Sequence, residues 1–286
     1  MGLIDSGRIV RSASAGGYAV PAFNTQGGNY DICRAIVDTC EEESSPVILM
    51  AYEKNLEYLG LDGFIAVAGY LAAKAAVPVA LHLDHSSSVE VIKKAVDAGF
   101  TSVMIDYSQK PIEENIEATN AVLDYLGNDR SVSVEAEVGE LQRNDVDSEK
   151  FTPKNLVDPA TVKHFLDHAA PDMLAIGIGN AHGYYKGKPN IRIDLLMQVK
   201  EVARATPLVL HGSTGIPEDT VRRCIGLGIA KVNFGTLIRH KYMEYYQAAL
   251  QEEHSGHSWK VAQRAMKSLK DDIRTVVHTC GSGEKA

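Results

Sequence analysis

Eight short apolar runs alternate with amphipathic helical patterns along the chain. Most of the runs are apolar at several consecutive positions, which is typical of a strand buried on both faces of a parallel sheet that helices cover. Eight such units favour an α/β fold of the (β/α)8 barrel type over an open sheet. The pattern predicts one barrel domain over residues 1–286, with a short N-terminal helix and a C-terminal helical extension. The runs are YAVPAF (18–23), PVILMA (46–51), VPVALHL (77–83), FTSVMI (100–105), SVSVEAEV (131–138), MLAIGIG (173–179), PLVLH (207–211) and AKVNF (230–234).

Helix-boundary residues support this division of the chain. Gly99 is expected to end the helix before the fourth strand, and Asp158 with Pro159 to begin another. Pro217 is placed to begin the helix after the seventh strand. The connections 138–157 and 181–193 are long and polar, as active-site lids often are.

Polar side chains follow seven of the eight runs at the point where each strand should end. The carboxyl ends of barrel strands form the catalytic face of this fold, so these residues are candidates for one site. They are Asn24, Asp84, His85, Asp106, Glu137, His182, His211, Asn233 and Thr236.

Three of these residues are histidines that follow separate strands, namely His85, His182 and His211. Three protein ligands with an open position are the usual arrangement of catalytic zinc. Asp84 stands directly beside His85 and can transfer protons, although it could instead orient a histidine. His82 alternates with Asp84 on the same strand and is expected to fill a layer of the barrel interior.

Composition excludes several other classes of function. The chain has 286 residues, 45% apolar and 23% charged, with a formal net charge of −8. That charge argues against a nucleic-acid partner and against an anionic membrane surface. The apolar stretch 64–83 is broken by Lys74 and Pro78, so no transmembrane span is predicted. The four cysteines lack CxxC spacing, which favours reduced, buried thiols in a cytoplasmic protein.

An ordered set of motifs resembles the class II, zinc-dependent ketose-bisphosphate aldolases over almost the full length. The motifs are LHLDH, FTSVMID, VEAEVG, AIGIGNAHGYY, LVLHGSTGIP and KVNFGT. The likeness is strongest to the fructose- and tagatose-bisphosphate branch. The resemblance implies reversible cleavage of a sugar phosphate to dihydroxyacetone phosphate and an aldehyde, by a homodimer or homotetramer.

The resemblance also implies roles for particular residues. His85, His182 and His211 would bind the catalytic zinc, and Asp84 would handle the proton of the C4 hydroxyl group. Asp106 and Glu137 would match an alternate or second metal site. The remaining residues would contact substrate, several of them at the phosphate of the donor half and near a Na+ or K+ ion: Asn24, Tyr52, Gly183, Gly212, Ser213, Thr214, Asn233, Phe234, Gly235 and Thr236.

The sequence departs from the family pattern around the substrate. HGSTG stands where HGGSG is common, and NFGTL where NVATE or NIDTD is common. Tyr52 takes the place of a serine that holds the distal phosphate, and Tyr107 that of a glycine. The loop after Glu137 reads ELQRNDVDSE, which leaves open the group that removes the carbon-bound proton. These changes suggest an acceptor other than glyceraldehyde 3-phosphate.

Three alternative functions compete with this interpretation, and particular residues count against each of them. A metal-dependent hydrolase on the same barrel would carry an HxH pair after strand one, where this chain has Asn24. A Schiff-base aldolase needs a lysine near a strand's carboxyl end, whereas Lys231 enters strand eight near its beginning. A non-catalytic sugar-phosphate-binding protein would not need the histidines together with Asp84.

Overall fold

The fold is a closed barrel of eight parallel strands with helices between them. The computed structural model describes residues 2–129, 131–143 and 156–286. The barrel strands are β1 (Val20–Asn24), β2 (Val47–Tyr52), β3 (Pro78–Ser86), β4 (Ser102–Ile105), β5 (Ser133–Val138), β6 (Met173–Ile176), β7 (Leu208–Leu210) and β8 (Ile229–Phe234). Each strand matches one of the apolar runs, so the predicted fold class is confirmed.

One helix precedes the first barrel strand, and the others lie between successive strands and after the last one. They are α1 (Ser6–Gly16), α2 (Tyr30–Glu42), α3 (Gly60–Phe64), α4 (Tyr70–Lys74), α5 (Val89–Ala98), α6 (Ile112–Leu126), α7 (Pro159–His168), α8 (Ile193–Ala203), α9 (Glu218–Gly226), α10 (Thr236–Glu252) and α11 (Ser258–Cys280). A 3-10 turn, Glu53–Glu57, follows β2, and a π-helical turn, Ile65–Gly69, joins α3 to α4.

The predicted helix boundaries are present. Gly99 has φ of 108° and closes α5 in the left-handed conformation that glycine adopts without steric cost. The Asp158 side chain accepts hydrogen bonds from the backbone at the start of α7, with Pro159 in the first turn. Pro217 is the residue that precedes α9.

Parallel pairing runs around the whole ring. Strand β8 pairs with β1, with Asn233 opposite Ala22, and β3 pairs with both β2 and β4. Closure brings the carboxyl ends of all eight strands to one rim. Residues that are far apart in sequence therefore meet at that rim.

Helix α1 covers the amino-terminal end of the barrel. Its first residue, Ser6, donates a hydrogen bond to Ser102 at the start of β4 and lies 2.9 Å from Ser133 at the start of β5, oxygen to oxygen. Ile9, Val10 and Ala13 are buried with the apolar side chains of the barrel interior. This end of the barrel is closed, which leaves the opposite rim for chemistry.

The second apolar layer lies between the strands and the surrounding helices. Arg274 on α11 pairs with Glu42 and Glu43 at the end of α2, which holds the last helix against the barrel. On the catalytic side, the short strand Gln142–Arg143 pairs with Ala181–His182, so the connections after β5 and β6 meet there. The remainder of the long predicted loop after β5, residues 144–155, lies outside the described residues. Within the described ranges, no helix has the length and apolar character needed to cross a membrane.

Candidate metal centre and active site

Three imidazoles converge at the carboxyl-terminal rim of the barrel. His85 lies on β3, His182 on the short strand after β6, and His211 directly after β7. One ring nitrogen from each lies within 4.8 Å of the others, so together they can hold a metal ion. The ring centroids of His85 and His211 are 4.7 Å apart, and those of His85 and His182 are 4.8 Å apart.

Two carboxylates fix the orientation of two of these rings. His85 Nδ1 lies 2.7 Å from Asp106 Oδ2, and His211 Nε2 lies 2.7 Å from Glu135 Oε1. An ionised carboxylate only accepts hydrogen bonds, so each of these nitrogens carries the proton. When both imidazoles are neutral, the other nitrogens, His85 Nε2 and His211 Nδ1, therefore face each other with their lone pairs.

These two nitrogens are 2.9 Å apart. Two lone pairs at this separation repel each other unless a positive charge, a proton or a metal ion, lies between them. Neutral imidazoles that are held by carboxylates are typical zinc ligands. The donor set of His85, His182 and His211 therefore fits a zinc ion.

A second group of possible ligands shares His85. Oxygen atoms of Asp106 and Glu137 lie with a His85 nitrogen within 4.8 Å of one another. Glu137 is fully buried, and its Oε2 has no hydrogen-bond partner among the described residues. Burial, followed by the neighbouring Asp106, holds the pKa of Glu137 well above its usual range. A cation beside the carboxyl groups would allow Glu137 to ionise.

The negative charge around His85 also favours a bound cation. Burial of this imidazole opposes its protonation, but Asp84, Asp106 and Glu137 outweigh burial and raise the pKa of His85 to about 10. The surrounding acids thus favour a positive charge at this place. A bound dication supplies that charge while it leaves the imidazole neutral.

Asp84 and Asn233 lie side by side next to the histidines. Asp84 is 6% exposed, and Asn233 Nδ2 donates to its Oδ1 at 3.3 Å. The amide oxygen of Asn233 is buried and has no hydrogen-bond partner within the described part of the chain. A carboxylate and a free amide acceptor at the same wall can bind and deprotonate a hydroxyl group.

These side chains face a pocket of about 180 Å³ at the rim. Most of the site residues that the sequence predicts line it, at six of the eight strand ends. They are Asn24, Tyr52, Asp84, His85, His182, Gly183, Gly212, Ser213, Thr214, Asn233, Gly235 and Thr236.

Phe234 is the exception among the predicted substrate-binding residues. Its side chain packs against Phe23, with ring centroids 6.1 Å apart, in the apolar layer between barrel and helices. Neighbouring residues of a strand point to opposite faces, so Asn233 points into the barrel and Phe234 points out of it. The Phe234 side chain therefore does not line the pocket, contrary to the prediction. The alternation of inward and outward positions along KVNF could have indicated this.

Four further pocket residues were not predicted from the sequence, and Arg239 is the one that brings charge. They are Gln26, Met50, Asn55 and Arg239. Arg239 lies in the first turn of α10, three positions after Thr236, and residues at this spacing share a helix face. The three-residue spacing from Thr236 could therefore have identified Arg239 in the sequence.

Backbone conformation shapes the loops after β6 and β7. Gly212 has φ of 62°, and a Cβ atom there would overlap the carbonyl group of Ala181, so the two loops touch without side chains between them. The Tyr185 hydroxyl accepts a hydrogen bond from the Ala181 N–H and donates one to the Gly212 carbonyl. Thr214 accepts from the Leu237 N–H in the first turn of α10. Glycines and a helix start gathered in this way suit a phosphate group.

Two polar residues, His82 and Lys231, are buried in the barrel interior. His82 is fully buried, and its Nδ1 lies 2.7 Å from the Ser102 hydroxyl, so it fills an interior layer. Lys231 enters β8 near its start, but its side chain extends into the barrel interior and its Nζ donates to Glu135 at 2.8 Å. A lysine held in an ion pair beneath the pocket is not placed to attack a carbonyl group.

Comparison with known proteins agrees with this geometry. Residues 5–285 match the family model described as fructose-bisphosphate aldolase class-II. The YdjI aldolase from Escherichia coli K12 is 29% identical, covers 99% of both chains and superposes with a TM-score of 0.86. The fructose-bisphosphate aldolase of Campylobacter jejuni is 20% identical, covers 100% of this chain and 97% of its own, and shares the fold with a TM-score of 0.80.

Proposed function

The chain belongs to the class II fructose-bisphosphate aldolase family, and we propose that it cleaves a ketose 1-phosphate or ketose 1,6-bisphosphate reversibly to dihydroxyacetone phosphate and an aldehyde. The observation that carries this proposal is the convergence of three histidines at the rim pocket, which Asp84, His85 and His182 line. An aldol cleavage needs positive charge near the carbonyl oxygen and a base for a hydroxyl proton.

We assign a zinc site to His85, His182 and His211, with Asp106 and Glu137 at a second or alternate metal position. Bound zinc supplies Lewis acidity beside the substrate carbonyl group. The carboxylate-held imidazoles keep their metal-facing nitrogens unprotonated. A monovalent cation, Na+ or K+, near the phosphate loops is part of the same proposal.

Asp84 is proposed as the group that takes the C4 hydroxyl proton in cleavage and returns it in condensation. It is buried at the pocket wall, and the Asn233 amide holds one of its oxygens. The second oxygen is left to receive a proton from substrate. The unpartnered Asn233 oxygen can accept a hydrogen bond from an adjacent hydroxyl group of the donor half.

The donor phosphate is assigned to the loops after β6, β7 and β8. Gly183, Gly212, Ser213 and Thr236 present small side chains and backbone N–H groups there, beside the first turn of α10. Loops at this position bind phosphate in many (β/α)8 barrels. Arg239 projects from α10 into the same pocket and supplies a cationic side chain.

The acceptor half is proposed to differ from glyceraldehyde 3-phosphate. The Tyr52 ring meets the His85 ring edge to face at 6.4 Å and separates the pocket from a neighbouring cavity of about 560 Å³. Tyr107 lines that cavity as well. A longer sugar, a deoxy sugar or a sugar acid with phosphate at one end fits two bulky phenols better than a second phosphate does.

Replacing Tyr52 with serine tests this point. The smaller side chain should raise kcat/KM for ketose 1,6-bisphosphates by about tenfold, which corresponds to about 1.4 kcal/mol of transition-state stabilisation. Cleavage rates would be compared for fructose 1,6-bisphosphate and fructose 1-phosphate. Tyr52→Phe keeps the bulk and serves as the matched control. Unchanged or lower bisphosphate activity in Tyr52→Ser would count against the steric argument.

We also propose a cytoplasmic homodimer or homotetramer. The four cysteines, Cys33, Cys40, Cys224 and Cys280, are all buried and free, as is usual in a reducing compartment. Exposed apolar side chains on the last two helices, Met243, Leu250 and Trp259, offer a surface for contact between subunits.

The experiment that tests the proposed function is exchange of solvent deuterium into dihydroxyacetone phosphate, followed by NMR. It reports the donor half-reaction and needs no knowledge of the aldehyde. Zinc-loaded protein should catalyse exchange, and protein treated with a chelator should not. Absence of exchange in protein with bound zinc would reject the donor and would favour a binding protein that lacks catalysis.

A further inference from the structure

A buried ion pair lies on the barrel axis directly beneath the histidines. Lys231 on β8 and Glu135 on β5 both have side chains with 0% exposure, and Lys231 Nζ donates to Glu135 Oε2 at 2.8 Å. Layers in the interior of such barrels are usually filled with branched apolar side chains. A buried ion pair is often less stabilising than apolar residues of the same volume. This pair therefore calls for an explanation other than stability.

The second carboxylate oxygen of Glu135 suggests why the ion pair is present. Glu135 Oε1 lies 2.7 Å from His211 Nε2, and both side chains are fully buried. The carboxylate accepts a hydrogen bond from the His211 Nε2–H and so turns the Nδ1 lone pair of His211 toward His85 Nε2, 2.9 Å away. One glutamate thus contacts the lysine through one oxygen and the histidine through the other.

We propose that Glu135 is a positioning residue that holds His211 with Nδ1 toward the metal, and that Lys231 anchors Glu135 and cancels its charge. Charge cancellation matters because a lone carboxylate behind the imidazole would pass negative charge to the metal site. With Lys231 present, the pair is neutral, and the metal retains the positive charge that the substrate carbonyl needs. The inference rests on the proposed zinc site.

Glu135 differs in this respect from Asp106, which holds His85. The Asp106 side chain is 22% exposed at the rim and belongs to a possible ligand group itself. Glu135 is enclosed below the rim, next to His82, whose Nε2 lies 3.8 Å from Glu135 Oε2. Its two hydrogen bonds go to protein groups, so it acts on the metal through His211.

Two double variants separate the hydrogen bond from the charge. Glu135→Gln with Lys231→Met removes both charges and keeps an amide oxygen that can accept a hydrogen bond from the His211 Nε2–H. Glu135→Leu with Lys231→Met has a side chain of similar volume and no acceptor. Neither variant leaves an unpaired buried charge, so both should fold, which thermal melting would check.

The readout is zinc affinity, measured by competition with a chromophoric chelator, together with the visible absorption spectrum of the Co2+-substituted protein. The leucine variant should bind zinc about 10-fold to 100-fold more weakly than the glutamine variant, and its Co2+ bands should shift. Equal affinities and identical spectra for the two variants would overturn the proposal. A wild-type protein that binds no stoichiometric zinc would instead reject the metal site, so the two failures are distinguishable.

A second measurement does not depend on the variants. Long-range 1H–15N NMR of the wild-type zinc protein should show His211 bound to metal through Nδ1 and protonated at Nε2. Coordination of His211 through Nε2 would overturn the proposal, since that nitrogen would then have no proton to donate to Glu135.

Discussion

Asp84→Asn should lower kcat for aldol cleavage by about 10³-fold while exchange of the donor's carbon-bound hydrogen continues. Asparagine has the shape of aspartate but cannot take a proton from the C4 hydroxyl group. Exchange into dihydroxyacetone phosphate involves no C4 hydroxyl, so its rate should fall less than tenfold. The measurement compares cleavage, followed by aldehyde release, with deuterium exchange on one preparation of the variant.

Zinc content must be measured alongside both rates, because Asp84 contributes to the negative charge around His85. Equal stoichiometry in wild type and variant would assign the lost cleavage to proton transfer. A parallel fall of exchange and cleavage, with zinc still bound, would mean that Asp84 positions groups for both steps, and the assigned role would be wrong.

Loss of the metal should have a comparable effect. His182→Ala should abolish tight zinc binding and lower aldolase activity by about 10³-fold or more, because a Lewis acid contributes several kcal/mol to such a step. His182 suits this test because it lies at the rim on a short strand, whereas His211 lies in the buried network. Removing the His182 ring should therefore disturb the fold least.

The control for this variant is His168→Ala. His168 lies on α7, outside the pocket, and its Nδ1 lies 2.9 Å from the carbonyl oxygen of His164. Zinc content by elemental analysis and activity with added zinc should match the wild type in this control. Full activity of His182→Ala without bound metal would remove the basis for the zinc assignment.

The barrel could be predicted from the sequence because its strands are buried on both faces. The continuous apolar run PVILMA and the strict alternation of SVSVEAEV both differ from helical periodicity, and residues such as Gly99 and Asp158 mark where helices end and begin. Parallel topology then places every strand's carboxyl end on one rim. The convergence of His85, His182 and His211 follows from that topology.

Side-chain partners inside the barrel could not be predicted in the same way. The EAE motif places Glu135 and Glu137 on one face of β5, and the sequence singled out the second glutamate alone. Glu135 acquires its significance from Lys231 and His211, which arrive from β8 and β7. The partner of Lys231 could not be predicted either, because the position of a residue along a strand does not reveal how far its side chain extends.

Pocket residues outside the strand ends were also beyond the motif analysis. Arg239 lies on a helix, and its entry into the pocket depends on how α10 begins at Thr236. Asn55 lies in the turn after β2, which has no distinctive pattern. Such residues become visible once the rim is assembled in three dimensions.

The separation of the histidines along the chain bears on how the protein matures. His85 and His211 are 126 residues apart, and they meet only when both β3 and β7 have taken their places in the closed barrel. Folds that depend on contacts of this range form slowly. Histidines of an unfolded chain can also capture zinc in arrangements that the barrel does not use. We therefore expect zinc to bind at the correct site only after the barrel has closed. Zinc that reaches a newly synthesised chain before that point can be held by the wrong histidines.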